Sequence, residues 1–75
     1  MLELTWQFSR HRLAQARQQA HLSQRQLALA IGKTTGAVRA YEQGRILPSL
    51  PVLLLFAEAL DVTPNDLCLQ DARRT

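Results

Sequence analysis

The sequence predicts an all-α domain of five short helices, and three observations carry that expectation. Apolar residues recur at three- and four-residue spacings, while aromatic and β-branched residues are scarce and do not alternate over a strand-length run. Cap and turn residues, among them Ser23, Gly32, Gly44, Ser49 and Thr63, cut the chain into segments of helical length. The 75 residues, 47% hydrophobic and 20% charged, hold one modest core and suit a single domain.

The first helix is expected from about Gln7 or Ser9 to Ala20, with Leu13, Ala16, Arg17 and Ala20 on its inward stripe. Residues 1–8 form an N-terminal arm or extension, and Trp6 with Leu2 and Leu4 reads as a staple over the core. The second helix has a capping box, Ser23-Gln24-Arg25-Gln26, and a hydrophobic staple between Leu22 and Leu27. Gly32 ends it by accepting a left-handed backbone, leaving about eight residues, too few to be helical without tertiary support.

After the short Lys33-Thr34 turn a third helix runs to about Gln43 and is closed by Gly44. Val38 and Tyr41 face inward, whereas Thr35, Gly36, Arg39 and Gln43 lie largely on the other side. Ser49 caps a fourth helix that tolerates Pro51 in its first turn and is apolar nearly all round from Val52 to Leu60. Such a helix is either the central buried element or part of an interface. Thr63-Pro64-Asn65-Asp66 opens a fifth, short helix, and residues 71–75 are expected to fray.

Charge is unevenly distributed. From Arg10 to Arg45 seven basic residues stand against one acid, a balance of +6; from Ile46 onward two arginines face four acids, a balance of −2. A basic front suits a polyanion met by one face. No apolar run is long enough for a membrane span, and the N-terminus lacks the basic-then-apolar order of a secretory signal. The single cysteine, Cys68, excludes an internal disulfide and suits a reducing cytoplasm. His11 and His21 have no companion ligand, so neither a metal site nor a cofactor is expected. No nucleophile with its base and no carboxylate pair stands out, which argues against an enzyme.

Two short helices joined by a turn of about three residues have helix-turn-helix spacing. Ala28 is small where the two helices approach, Gly32 permits the turn, and Val38 fills the angle between them. Leu22-Ser23-Gln24, Leu27-Ala28, Ile31-Gly32, Val38, Tyr41-Glu42-Gln43-Gly44, Pro48 and Leu60-Asp61-Val62 together resemble the phage-repressor and Cro family, the XRE-type helix-turn-helix domains. The resemblance runs from about Leu13 to Leu67.

The resemblance implies sequence-specific binding of double-stranded DNA by the third helix in the major groove, in a transcriptional repressor or regulator. It implies base contacts from Thr34, Thr35 and Gly36, with Arg39 one turn later on the same face. Gln24 falls where relatives contact a phosphate and brace the reading helix, while Lys33, Gln43 and Arg45 suit phosphate positioning. Arg17 and Glu42 fall where the family pairs an arginine with a glutamate. His21 departs from a position that is often glycine. Ala37 and Ala40 give the reading helix few hydrogen-bonding groups, which puts weight on Arg39.

A homodimer on an inverted repeat is expected, with Leu67, Leu69 and the outer face of the Leu50–Leu60 helix as its contacts. The competing reading is an antitoxin or accessory factor of the same fold whose main role is binding a partner protein. A prokaryotic or phage-encoded cytoplasmic protein is the corresponding setting.

Overall fold

The computed structural model describes the backbone of residues 2–74 and the side chains of residues 6–69. The chain runs through β1 (Leu2–Phe8), α1 (Arg10–Gln19), α2 (Gln24–Ile31), α3 (Thr35–Glu42), α4 (Leu50–Leu60), a single 3₁₀ turn (Pro64–Leu67) and β2 (Cys68–Arg74). The mainly helical architecture is as expected. Among the described residues there are four α-helices rather than five, because the Thr63 capping box closes only one 3₁₀ turn before the chain straightens.

The ends of the chain differ more. The expected N-terminal arm and the expected frayed tail pair as an antiparallel ribbon, from Leu2 opposite Arg74 to Phe8 opposite Cys68. The signal was present in Leu2, Leu4, Trp6 and Phe8, which alternate with Glu3, Thr5 and Gln7. Counting only aromatic and β-branched residues hid it, because two of its four apolar positions are leucine. Ser9 joins ribbon to helix: its N–H donates to the Leu67 carbonyl at 2.9 Å, and its Oγ accepts from the Arg12 N–H at 3.2 Å, capping α1. It is buried. Trp6, expected as a staple over the core, is instead 51% exposed.

Phe56, Leu13, Leu27, Leu67 and Val38 form the fully buried centre, and Tyr41 meets Phe56 edge to face at 5.4 Å between ring centres. Every α-helix contributes to this cluster. The local signals hold where they were read. Ser23 and Gln26 form the reciprocal capping box, and Gly32 ends α2 at φ 71°. Ala28 is buried, as close helix approach requires.

The apolar α4 is one-sided. Phe56, Ala57 and Leu60 are buried, whereas Leu50, Leu54 and Leu55 are exposed. Leu67 is fully buried, so it is a core residue and not the intersubunit contact expected of it; Leu69 remains exposed. A carboxyl-terminal side chain can enter the core here because the 3₁₀ turn bends the chain back onto α1 and α4.

Candidate nucleic-acid interface

The geometry of α2 and α3 rests on Glu42. Arg17 Nε donates to Glu42 Oε2 at 2.6 Å and Nη2 to Oε1 at 3.1 Å, while Nη1 donates to the Leu22 carbonyl at 2.9 Å. Gln24 Nε2, in the first turn of α2, also donates to Glu42 Oε1 at 3.1 Å. One carboxylate at the end of α3 thus ties α1 and α2, and Arg17 in turn holds the entry to α2. The ion-paired side chains are only 14% and 7% exposed, so the cluster is sheltered from solvent screening. The Arg17–Glu42 pairing agrees with expectation, and Gln24 joins it through the same carboxylate.

With its buried face defined by Val38 and Tyr41, α3 turns Thr35, Gly36, Arg39 and Gln43 away from the core. Gly36 and Arg39 are exposed, and Thr35 is half-buried. Thr34 has a local duty: it is the N-cap, and its Oγ1 accepts from the Ala37 N–H at 3.1 Å. The residue remains exposed at the head of the helix. Lys33 is exposed in the turn, its N–H held by the Ala28 carbonyl at 2.9 Å.

Gln43 and Arg45 are exposed beyond α3, on either side of Gly44 at φ 75°. All eight residues singled out from the sequence therefore border α3 or stand at the start of α2. The free N–H groups at the heads of two helices add fixed partial positive charge.

Arg10 was missed. Its side chain lies across Gly44 so closely that a Cβ at residue 44 would stand 2.7 Å from Arg10 Cδ. This places a further exposed cation beside Gly44, the residue that precedes Arg45. Only tertiary packing brings residues 10 and 44 together, so no local signal could have found it. With Glu42 neutralised by Arg17, the exposed charges here, Arg10, Arg25, Lys33, Arg39 and Arg45, are all positive. Such a surface attracts a polyanion. Among the described residues no group of three metal-ligating side chains gathers, and no helix is long and apolar enough to cross a membrane.

His21 ends α1 at φ 59°, a left-handed backbone that an L side chain adopts at a cost. That explains why glycine suits this position.

The helix-turn-helix family model matches residues 13–67, most of the chain. The chain belongs to the helix-turn-helix family. Among solved structures, this helix-turn-helix protein is similar to the restriction-modification controller protein C.AhdI from Aeromonas hydrophila. The identity is 36%, over 77% of this chain and 84% of that one, with a TM-score of 0.75. It also shares the fold of the P22 c2 repressor, solved in complex with a synthetic operator, at 24% identity, 81% and 92% coverage and a TM-score of 0.75. The phage-repressor and Cro resemblance read from the residues is thus shown. No curated protein matches the chain.

Proposed function

We propose that this helix-turn-helix protein is a DNA-binding transcriptional regulator that reads operator sequence by inserting α3 into the major groove. The observation that carries the reading is the buttressed presentation of α3. Glu42, Arg17 and Gln24 hold the helix from behind, and Thr35, Gly36 and Arg39 project from its free side. A rigid helix with a small head and one long cation can approach base edges closely. Arg39 can donate two parallel hydrogen bonds to a guanine, and the Thr35 methyl can meet thymine. Gly36 removes the Cβ that would hold the backbone away. Lys33, Gln43, Arg45 and the head of α2 at Gln24 set register on the phosphates.

The regulator acts as a homodimer on an inverted repeat, since two-fold symmetry in the protein is matched by two-fold symmetry in the site. The controller protein to which the chain is 36% identical supports a regulatory role. Selection of bound duplexes from a random pool tests the reading: it should enrich a palindromic motif, with a log–log salt slope of about −4 to −5 for four to six phosphate contacts. Failure to bind any duplex at low salt would remove it. The exposed Leu47, Leu50 and Leu54 favour a second reading, in which a partner protein docks on α4. A chain whose sole role is that docking would leave the random pool unenriched, whereas an antitoxin that also represses its own promoter would enrich a motif and bind its partner through α4.

A further inference from the structure

We propose that the outer edge of β1 is a self-complementary interface, pairing with β1 of a second copy about a two-fold axis through Thr5. The result is a four-stranded antiparallel sheet in the order β2-β1-β1-β2. The inference rests on the dimeric reading above and assigns it a surface.

Among the described residues the sheet contains only β1 and β2, so each strand has one open edge. A two-stranded ribbon is marginal in water, and an open edge is a template for another strand. Which groups lie on that edge follows from one hydrogen bond. Ser9 donates to the carbonyl of Leu67, its partner when the register of Phe8 opposite Cys68 is continued by one residue. Ser9 is therefore on the inward-bonding parity, with Gln7, Thr5 and Glu3. The N–H and C=O groups of Leu2, Leu4, Trp6 and Phe8 point the other way, to the open edge.

Those four positions are palindromic. An antiparallel pairing centred on Thr5 uses all seven residues and sets Leu2 against Phe8 and Leu4 against Trp6. Both pairs carry outward-bonding groups on both sides, so roughly eight main-chain hydrogen bonds can form across the axis. Thr5 then faces its mate in a non-hydrogen-bonded pair, where threonines pair favourably, and Glu3 faces Gln7. Natural edges are guarded by lysine, proline or inward charge, and β1 contains neither lysine nor proline. Trp6 at this edge is 51% exposed.

The other edge is unsuited to the same symmetry. Centring β2 on its middle residue would set Asp71 against Asp71, a like-charge pair, and Leu69 against Arg73. The sequence thus guards β2 and leaves β1 adhesive.

Sedimentation equilibrium on the full chain and three variants tests the proposal. Leu4→Pro removes an outward donor without breaking the bonds to β2 and should weaken the dimer at least tenfold. Ala72→Pro, which does the same to the β2 edge, should leave it unchanged. Thr5→Cys should give a covalent dimer on mild oxidation, which the parent with buried Cys68 should not. A parent that stays monomeric at about 0.1 mM would overturn the proposal. So would a dimer that survives Leu4→Pro while Thr5→Cys fails to cross-link, which would move the contact to the α4 leucines. Failure of the DNA reading is separate: no duplex would bind, whatever the sedimentation result.

Discussion

Truncating Arg17 should cost stability out of proportion to its place on a helix surface. Arg17→Ala deletes both hydrogen bonds from the guanidinium to Glu42 and the one to the Leu22 carbonyl. The Glu42 side chain, 7% exposed, then keeps Gln24 as its remaining side-chain donor. Breaking a buried pair from one side costs about 3–5 kcal/mol, and the surviving Gln24 bond favours the lower end, about 3. Against a total of roughly 4–11 kcal/mol for a chain of 75 residues, that is a large share. The midpoint of thermal unfolding should fall by about 12–24 °C.

Urea titration and thermal melts followed by circular dichroism measure this directly. Arg17→Met combined with Glu42→Leu removes both charges and should recover at least half the loss, because no unpaired carboxylate remains. If Arg17→Ala melts within about 2 °C of the parent, the brace is not what holds α3. Loss of duplex affinity at unchanged stability would make Arg17 a phosphate ligand instead.

Arg39→Ala should relax preference at one base pair per half-site, by about 1–3 kcal/mol, with non-specific affinity nearly intact. Arg45→Ala should weaken all sequences alike and reduce the salt slope by about one unit per subunit; competition against single-base operator variants separates the two. His21→Gly should stabilise the fold by about 0.5–1 kcal/mol in a urea melt, since relief of the left-handed strain exceeds the added freedom of the unfolded glycine; a loss of stability would contradict the strain argument. Gly44→Ala should destabilise by about 1–2 kcal/mol, because its φ of 75° and the Arg10 side chain both resist a Cβ. The Thr63 backbone N–H, then the Thr63 hydroxyl, hold the Asp66 pKa below its ordinary 3.8. A depressed folded value contributes stability above pH 3.8 that is lost as pH falls through the folded pKa, so Asp66→Asn should flatten the acid limb of a stability–pH curve.

The helix-turn-helix was legible in the sequence because its determinants are local. A serine followed three residues later by glutamine, a glycine at the turn and small or branched residues at fixed offsets act within a few residues of one another. Ser23, Gly32, Ala28 and Val38 take the expected roles, and the outward placement of Thr35, Gly36 and Arg39 follows from helical period once Val38 and Tyr41 face the core. The Arg17–Glu42 pair, 25 residues apart, was reached only through family resemblance.

What tertiary structure decided depends on contacts between distant parts of the chain. Leu2, Leu4, Trp6 and Phe8 alternate in the sequence, but strand pairing exists only when a partner is present, and that partner lies 60–72 residues away. The apolar circumference of α4 contains no instruction about which side the core will take, so the burial of Phe56 and Leu60 and the exposure of Leu50 and Leu54 emerge only on packing. Leu67 looked like surface because it stands near the end of the chain, yet the bend of one 3₁₀ turn carries it into the centre. Arg10 meets Gly44 only because α1 passes the end of α3. Local sequence sets caps, turns and helical faces through interactions a few bonds long; which faces meet is a property of the folded whole.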